Sequence, residues 1–459
     1  MTKETALRLY YIVFVILLMF CSNSLASMGA REIPWCQTYG TRDRDEGCRL
    51  ITTRDGGFAL IGTIPNPYSE WRNFWLVKTD ENGVMQWNYT YGQEWGYEEV
   101  VSDAILTNDG GVAIVGRKWQ DPPPPQESFD YNSWLVKTDT NGVMQWNYTY
   151  GEVGSQEDEQ INGMAQCDDG GFILTGINSG IDQNGLLLVK MDSDGHQEWN
   201  RTYDDFTGGT DVIQVADGGF VVAGRTRSWT YGKLSFLLMK IDRSGTVQWN
   251  QTYGNQAAQV LYAFVQTRDG GFALMGDNSS SYGERPLQIW LIKTDAKGIA
   301  EWNQTYDEYD YQHGTALIQT DDGGFALAGF GITGRLEPES VTDDDWDGLL
   351  IKTDMTGLVQ WTQTYDCGRQ EELFDLIQLN DGGFSLLGRA LDPRGISYDL
   401  WLVRTDASGS PPLCPLNTST SLNTSGLMIS SVVAMCVTLY YVYKRRKGKE
   451  NISAFLEEN

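Results

Sequence analysis

The stretch Ala316–Tyr365 decides the fold: it reads ALIQTDDGGFALAGF, continues through a polar loop, and ends as WDGLLIKTDMTGLVQWTQTY. Its short runs of aliphatic, aromatic and Thr residues are separated by turns that contain Gly and Asp, which is typical of four β-strands. No helical periodicity appears between Ile33 and Asp406. The sequence therefore predicts an all-β fold.

Three markers of this stretch recur along the chain. An Asp-Gly-Gly turn, a Lys-x-Asp or Arg-x-Asp turn, and a Trp followed three residues later by Thr-Tyr each occur seven times, with 48 to 60 residues between successive Asp-Gly-Gly turns. A four-stranded unit at this period is typical of a β-propeller blade, so seven copies predict seven blades. The Asp-Gly-Gly turns begin at Asp55, Asp109, Asp169, Asp217, Asp269, Asp322 and Asp381, and the recurring Trp residues are Trp35, Trp87, Trp146, Trp199, Trp249, Trp302 and Trp361.

The order of the markers predicts how the ring closes. The chain begins with a lone fourth strand, Trp35–Tyr39, and the repeats end with a third strand, Leu400–Gly409, that no Trp strand follows. The first strand can therefore complete the last sheet, which removes an unpaired edge from the ring.

The repeat resembles known propeller families. Asp80–Trp87 (DENGVMQW) is similar to the third-to-fourth-strand segment of pyrroloquinoline-quinone-type propeller repeats. The strand order, and the closure by an N-terminal outer strand, resemble propellers of the Trp-Asp type. The nearest resemblance is to uncharacterised surface propellers of archaea and bacteria with DGG…WLxKTD…W repeats, and it covers Ile33 to Gly409. It implies a seven-bladed β-propeller and no particular activity.

The ends of the chain predict a surface protein. Residues 1–26 combine a charged start, an apolar run and small residues, which indicates a signal peptide, with an uncleaved anchor as the alternative. Residues 27–410 are predicted to be the propeller ectodomain and residues 411–425 a Pro/Ser/Thr stalk. Residues 426–443 are long and apolar enough to span a bilayer, and basic residues follow at once. Since positive charge stays in the cytoplasm, we expect a single-pass type I cell-membrane protein with residues 444–459 inside.

The net charge of the chain limits the kinds of partner that it is expected to bind. The formal net charge is −27 at pH 7, which disfavours nucleic acid and anionic lipid as partners.

Cys36 and Cys48 lie on consecutive predicted strands around one short loop, so a disulfide between them is a candidate. The only histidines, His196 and His313, are far apart in sequence, which argues against a histidine-based catalytic triad or metal site.

The seven copies predict one uniform face and one variable face. The Asp-Gly-Gly and Lys-x-Asp turns are short and similar and lie on one face, whereas the other connections differ in length and composition. Aromatic residues on the variable face are candidates for ligand binding; the alternative is that they pack within their own loops. The candidates are Trp71, Trp95, Tyr97, Trp119, Tyr131, Trp229, Tyr231, Tyr309 and Trp346.

Two further kinds of site are predicted. Asp343, Asp344, Asp345 and Asp347 form a weak candidate for a Ca²⁺ site, and no other cofactor is expected. Asn-x-Ser/Thr acceptors for N-glycosylation occur at Asn88, Asn147, Asn200, Asn250, Asn278, Asn303, Asn417 and Asn423.

These observations favour a binding module over an enzyme. We expect a membrane-anchored surface propeller whose variable aromatic and acidic loops bind an extracellular glycan or protein. A structural or scaffold surface protein without a discrete ligand is the alternative, and a glycoside hydrolase that uses paired loop carboxylates is a third hypothesis.

Overall fold

The computed structural model describes most of the predicted ectodomain. The described residues are 34–41, 44–66, 71–92, 97–120, 130–151, 158–179, 184–227, 233–254, 258–279, 287–309, 311–332, 346–367, 370–392, 395 and 397–412. Within these ranges, no helix combines the length and the apolar character that a membrane crossing requires. The predicted signal peptide, membrane helix and cytoplasmic tail lie outside the described residues.

The described part of the chain contains 28 β-strands, which form seven blades of four strands each. Blade 1 contains β2 (Glu46–Thr52), β3 (Phe58–Pro65), β4 (Arg72–Thr79) and β5 (Met85–Tyr91); blade 2 contains β6 (Tyr97–Leu106), β7 (Val112–Gln120), β8 (Asp130–Thr138) and β9 (Met144–Tyr150). Blade 3 contains β10 (Asp158–Gln166), β11 (Phe172–Ser179), β12 (Asn184–Met191) and β13 (Gln197–Tyr203); blade 4 contains β14 (Gly208–Gln214), β15 (Phe220–Arg227), β16 (Leu234–Ile241) and β17 (Val247–Tyr253). Blade 5 contains β18 (Ala258–Gln266), β19 (Phe272–Ser279), β20 (Leu287–Thr294) and β21 (Ala300–Tyr306); blade 6 contains β22 (Gln312–Gln319), β23 (Phe325–Ile332), β24 (Trp346–Thr353) and β25 (Val359–Tyr365). Blade 7 contains β26 (Glu371–Gln378), β27 (Phe384–Leu391), β28 (Tyr398–Arg404) and β1 (Trp35–Tyr39).

Each blade is a four-stranded antiparallel sheet, and blade 7 combines both ends of the propeller. Its order is β1-β28-β27-β26, so the first strand is the outer strand of the last sheet. Trp35 pairs with Arg404 and Tyr39 with Leu400. The predictions of seven blades and of closure by the N-terminal strand are confirmed.

Each inner strand contains a β-bulge at the same place. In β2 the register with β3 shifts by one residue between Gly47 and Arg49, and the other six inner strands shift at the equivalent position. A bulge re-aims the side chains beside it. The residues that follow the bulge in blades 1 to 7 are Arg49, Asp103, Gly163, Asp211, Ala263, Ala316 and Asp375.

The hydrophobic core consists of layers between neighbouring blades. Phe74 and Leu76 of blade 1, for example, pack against Ile114 and Trp134 of blade 2. The recurring outer-strand Trp residues lie at the edges of these layers: Trp302 meets Phe325 of the next blade with ring centroids 5.8 Å apart. The repeated Trp residues thus dock one blade on the next.

The recurring Lys has a structural role. Lys352 is buried, and its Nζ lies 2.8 Å from Oδ2 of Asp322, the first residue of the Asp-Gly-Gly turn in the same blade. Equivalent pairs occur in the other six blades, with Arg404 in place of Lys in blade 7.

The expected Cys36–Cys48 disulfide is wrong. Neither cysteine is disulfide-bonded. Cys36 lies on the outer strand of blade 7, whereas Cys48 occupies the bulge of the inner strand of blade 1. Cys48 Sγ instead lies 3.3 Å from the carbonyl oxygen of Ser102. Cys167 is also free, and Cys367 takes part in a disulfide bond.

Candidate functional site

The structure places the predicted aromatic residues unevenly. Trp71, Tyr309 and Trp346 are half-buried at the variable ends of their blades. Tyr97, Trp119 and Tyr131 lie in β6, β7 and β8, where Trp119 pairs with Glu98 and with Tyr131. The expectation that Trp119 and Tyr131 belong to a loop is therefore wrong, because β7 and β8 continue their ladder into the predicted connection. Trp95, Trp229 and Tyr231 lie outside the described residues.

Trp346 belongs to a row of five rings that joins blades 5 and 6, which we call the ring chain. The ring centroids of Tyr311 and Trp346 are 4.9 Å apart, those of Trp346 and Phe330 5.1 Å, and those of Phe330 and His313 4.8 Å. Tyr262 of blade 5 completes the ring chain, 4.4 Å from His313 in an edge-on arrangement. All five rings are half-buried, so part of each is open to solvent.

Beside the ring chain lies a cavity of about 150 Å³, which we call the blade 5–6 pocket. Its walls include Tyr262, Tyr311, His313 and the carboxyl group of Asp277, together with aliphatic side chains. His313 Nδ1 lies 2.6 Å from Asp277 Oδ2. Burial raises the pKa of Asp277, and the hydrogen bond with His313 acts in the opposite direction. The pocket thus combines π faces with a buried carboxyl group.

The central channel is a second, larger cavity, with a volume of about 520 Å³. Its wall carries four charged residues that follow the inner-strand bulges: Arg49, Asp103, Asp211 and Asp375. Arg49 Nε lies 2.6 Å from Asp103 Oδ1. Blades 5 and 6 contribute only alanines at this position, which leaves space near the axis. Tyr262 lines both the channel and the blade 5–6 pocket.

The charged residues of the channel wall are three aspartates and one arginine. Burial, and next the nearby Asp103, raise the pKa of Asp211 to about 7, whereas Arg49 opposes the shift. Burial also raises the pKa of Asp375, again against the effect of Arg49. The backbone N–H groups of Leu50 and Leu376 donate to the Asp375 carboxylate. Three carboxyl groups beside one guanidinium group disfavour the binding of anions in the channel.

The predicted cation site is only partly described. Asp343, Asp344 and Asp345 lie outside the described residues, whereas Asp347 is buried in β24. Carboxylate oxygens of Asp347, Asp366 and Glu371 lie within 4.8 Å of one another between blades 6 and 7. The structure thus groups Asp347 with two acidic residues that the sequence analysis did not select.

The predicted glycosylation acceptors fall into three groups. Asn278 lies in β19 and not in a loop, and its Oδ1 accepts a hydrogen bond of 3.1 Å from Gln259 Nε2. Asn417 and Asn423 lie outside the described residues. The remaining acceptors are exposed on the outer strands of blades 1 to 5: Asn88, Asn147, Asn200, Asn250 and Asn303.

Sequence reasoning missed the channel residues and the contacts of His313. The channel residues were detectable, because Arg49, Asp103, Asp211 and Asp375 are charged residues that occupy one position of the repeat, directly before an apolar residue of the inner strand. No pattern in the sequence indicates the Asp277–His313 contact, because it joins two blades across 36 residues of chain.

Comparison with known proteins gives similarity of overall architecture only. No family model and no curated protein matches the chain. A protein of unknown function from Dyadobacter fermentans covers 81% of this chain and 97% of its own, with 10% identity and a TM-score of 0.48. Sqt1 from Chaetomium thermophilum covers 80% and 96%, with 9% identity and a TM-score of 0.47, and YCF48 bound to D1 peptide covers 82% and 96%, with 10% identity and a TM-score of 0.46. At these identities and TM-scores, none of these similarities carries an argument about function.

Proposed function

We propose that this protein is a membrane-anchored cell-surface propeller that binds an extracellular glycan or protein at the variable ends of blades 5 and 6. The ring chain carries the proposal. Half-buried aromatic rings contribute a large contact area at little cost in side-chain entropy, and they are enriched where proteins bind sugars and other proteins. A rigid propeller holds these rings in place before the ligand arrives, which favours recognition.

Two observations support an extracellular location. Cys367 is disulfide-bonded, and disulfides persist mainly in oxidising compartments. The five outer-strand acceptors are exposed. Asn200 Nδ2 is engaged by the Tyr150 hydroxyl group, so the folded propeller can accommodate N-linked glycans at the other four. Mass spectrometry of peptides from the full chain, isolated from membranes of a glycosylating host, should find glycan on at least one of Asn88, Asn147 and Asn303. Bare acceptors throughout would contradict the location.

The binding proposal is tested on the full chain in a detergent without a sugar headgroup. Binding to a glycan array and to extracellular protein fractions should identify ligands. Trp346→Ala should then weaken binding at least about tenfold, because a central aromatic anchor of an interface contributes about 2 kcal/mol or more. Tyr148→Ala is the matched control, since Tyr148 is an exposed ring on the outer strand of blade 2, away from the ring chain.

Each outcome separates the alternatives. Equal binding by the Trp346→Ala variant would remove blades 5 and 6 as the site. The absence of any ligand would favour a structural role without a discrete partner. Glycoside cleavage by the purified chain, abolished by one carboxyl substitution, would replace binding with hydrolysis.

A further inference from the structure

The blade 5–6 pocket contains a carboxyl group that is half satisfied. Asp277 is 4% exposed and lines the pocket from β19. Its Oδ2 is engaged by His313, and the backbone N–H of Gly314 and the side chain of Tyr262 also lower the pKa of the carboxyl group. Among the described residues, no donor lies within hydrogen-bonding distance of its buried Oδ1. A buried carboxylate oxygen without a donor costs free energy, because it has lost water without gaining a partner. The pocket beside Asp277 gives room for a donor group from outside the chain.

The remaining walls favour one kind of donor. Tyr262 and Tyr311 present aromatic rings, and Val260 and Leu287 present aliphatic surface. An ammonium group near an aromatic ring is attracted by its π face, and the attraction is stronger when water is excluded. Aliphatic walls suit the methylene groups next to the ammonium nitrogen.

Blade 7 shows how the same position accommodates a cation. Arg389 occupies in β27 the place that Asp277 occupies in β19, one residue after the Gly that pairs beside the bulge. Arg389 donates to Glu46 at 3.0 Å and to Glu372 at 2.6 Å. Its guanidinium carbon lies 5.6 Å from the ring centroid of Phe374, the bulge residue of blade 7.

The blade 5–6 pocket repeats this arrangement with the charge reversed. Tyr262 is its bulge aromatic, as Phe374 is in blade 7. Asp277 in the second strand, β19, supplies a carboxylate where Arg389 supplies a guanidinium group. The cation that would pair with this carboxylate must therefore come from elsewhere. The other blades place Thr63, Arg117, Ile177, Arg225 and Phe330 there, so Asp277 is the only acidic residue of the seven.

We infer that the blade 5–6 pocket binds an alkylammonium group, supplied by a lysine side chain of a protein partner or by a free diamine or polyamine. This inference rests on the proposed recognition function and specifies the chemistry of its ligand. The ammonium group donates to Asp277 Oδ1 while its methylene chain packs against Tyr262, Tyr311 and the aliphatic walls. The acidic chain, with a net charge of −27, attracts such ligands at long range.

The test compares matched small ligands on the full chain. Calorimetric titration with 1,5-diaminopentane and with a lysine-containing peptide is set against 1,5-pentanediol, which has the same length and no charge. The amines should bind and the diol should not. Tighter binding of the peptide than of the diamine identifies a protein partner, and the reverse identifies a free amine; both outcomes support the ammonium chemistry.

Variants locate the site. Asp277→Asn keeps the shape of the side chain and should weaken amine binding at least about tenfold, because a hydrogen bond to a charged group contributes about 1.5–3 kcal/mol. Tyr311→Ala should also weaken it, and Tyr148→Ala should leave it unchanged. Thermal unfolding of each variant verifies that it is folded, and the Tyr311 variant decides the matter if Asp277→Asn does not fold.

Three results would overturn the inference: diol binding as tight as amine binding, amine binding that survives both pocket substitutions, or no amine binding at all. Binding of methyl glucoside that depends on Asp277, without amine binding, would also overturn it. The last two results leave recognition through the ring chain intact, because that function is measured separately with Trp346→Ala.

Discussion

The hydroxyl group of Tyr91, in the outer strand of blade 1, donates a hydrogen bond of 2.6 Å to the carbonyl oxygen of Gly142 in blade 2. The same contact joins five other pairs of blades: Tyr39 with Gly83, Tyr203 with Gly245, Tyr253 with Gly298, Tyr306 with Gly357, and Tyr365 with Gly409. Tyr150 differs, because its hydroxyl accepts a hydrogen bond of 2.8 Å from Asn200 Nδ2. In six of the seven blades, the Tyr of the Thr-Tyr pair thus binds the third-to-fourth-strand turn of the next blade.

Removal of this hydroxyl group should loosen one blade interface. Tyr91→Phe should lower the free energy of unfolding by about 1–2 kcal/mol, because the buried Gly142 carbonyl oxygen loses its donor. Urea unfolding measures the change. Tyr89→Phe serves as the control, since Tyr89 is 41% exposed on the same strand and should change stability little. Equal effects of the two substitutions would deny the contact its structural role.

Two glycines in blade 6 separate backbone strain from packing. Gly323 and Gly357 both have positive φ, 84° and 80°. A Cβ on Gly323 would meet no heavy atom within 4 Å, whereas a Cβ on Gly357 would lie 2.6 Å from Cζ3 of Trp302. Gly323→Ala should therefore cost about 1–2 kcal/mol from backbone strain alone, and Gly357→Ala should cost clearly more. Unfolding curves of equal midpoint would contradict the docking of Trp302 on this turn.

Acid should weaken the propeller through the Asp-Gly-Gly turns. The hydrogen bonds from Thr53 and from Lys78 lower the pKa of Asp55 to about 2, below the value of about 3.9 in an unfolded chain. A depressed carboxyl pKa stabilises the fold above pH 4, and this stability is lost as the pH falls from about 4 to about 2. Asp55→Asn should flatten that part of the curve of stability against pH, and Thr53→Ala should flatten it partly. An unchanged curve would rule out this contribution.

Asp211 in the channel should make the stability of the fold depend on pH in the opposite direction. Its pKa is raised to about 7, first by burial and then by Asp103, whereas an unfolded Asp titrates near 3.9. A raised carboxyl pKa means that the unfolded chain loses its proton first, so stability falls as the pH rises from about 4 to about 7. Asp211→Asn should therefore be more stable than the unsubstituted protein at pH 8 and equally stable at pH 3. A variant that is less stable at pH 8 would contradict this.

The sequence alone predicted the propeller because its determinants are local and repeated. Turn glycines at positive φ, such as Gly357, and docking rings such as Trp302 recur in step, so their period gives the number of blades and their phase gives the closure. The pair of Lys352 and Asp322 recurs in every blade, as expected of a structural contact, since one functional site does not require seven copies.

The candidate site was less predictable because it depends on contacts between blades. His313 meets Asp277 across a blade interface, and Tyr262 reaches both cavities from a bulge that changes which side chains face the axis. Neither contact leaves a local pattern. The Cys36–Cys48 hypothesis was wrong for the same reason: closeness along the chain does not reveal that one strand is outermost and the other innermost.

Blade 7 cannot be completed until nearly the whole propeller has been synthesised. Tyr39 ends β1, and its partner strand β28 begins 359 residues later, at Tyr398. At about 5–20 residues per second, translation of that span takes roughly 20–70 s. Throughout this interval β1 has no strand to pair with, and its open edge can associate with another nascent chain. Crowded ribosomes on one message would therefore favour exchange of β1 between neighbouring molecules.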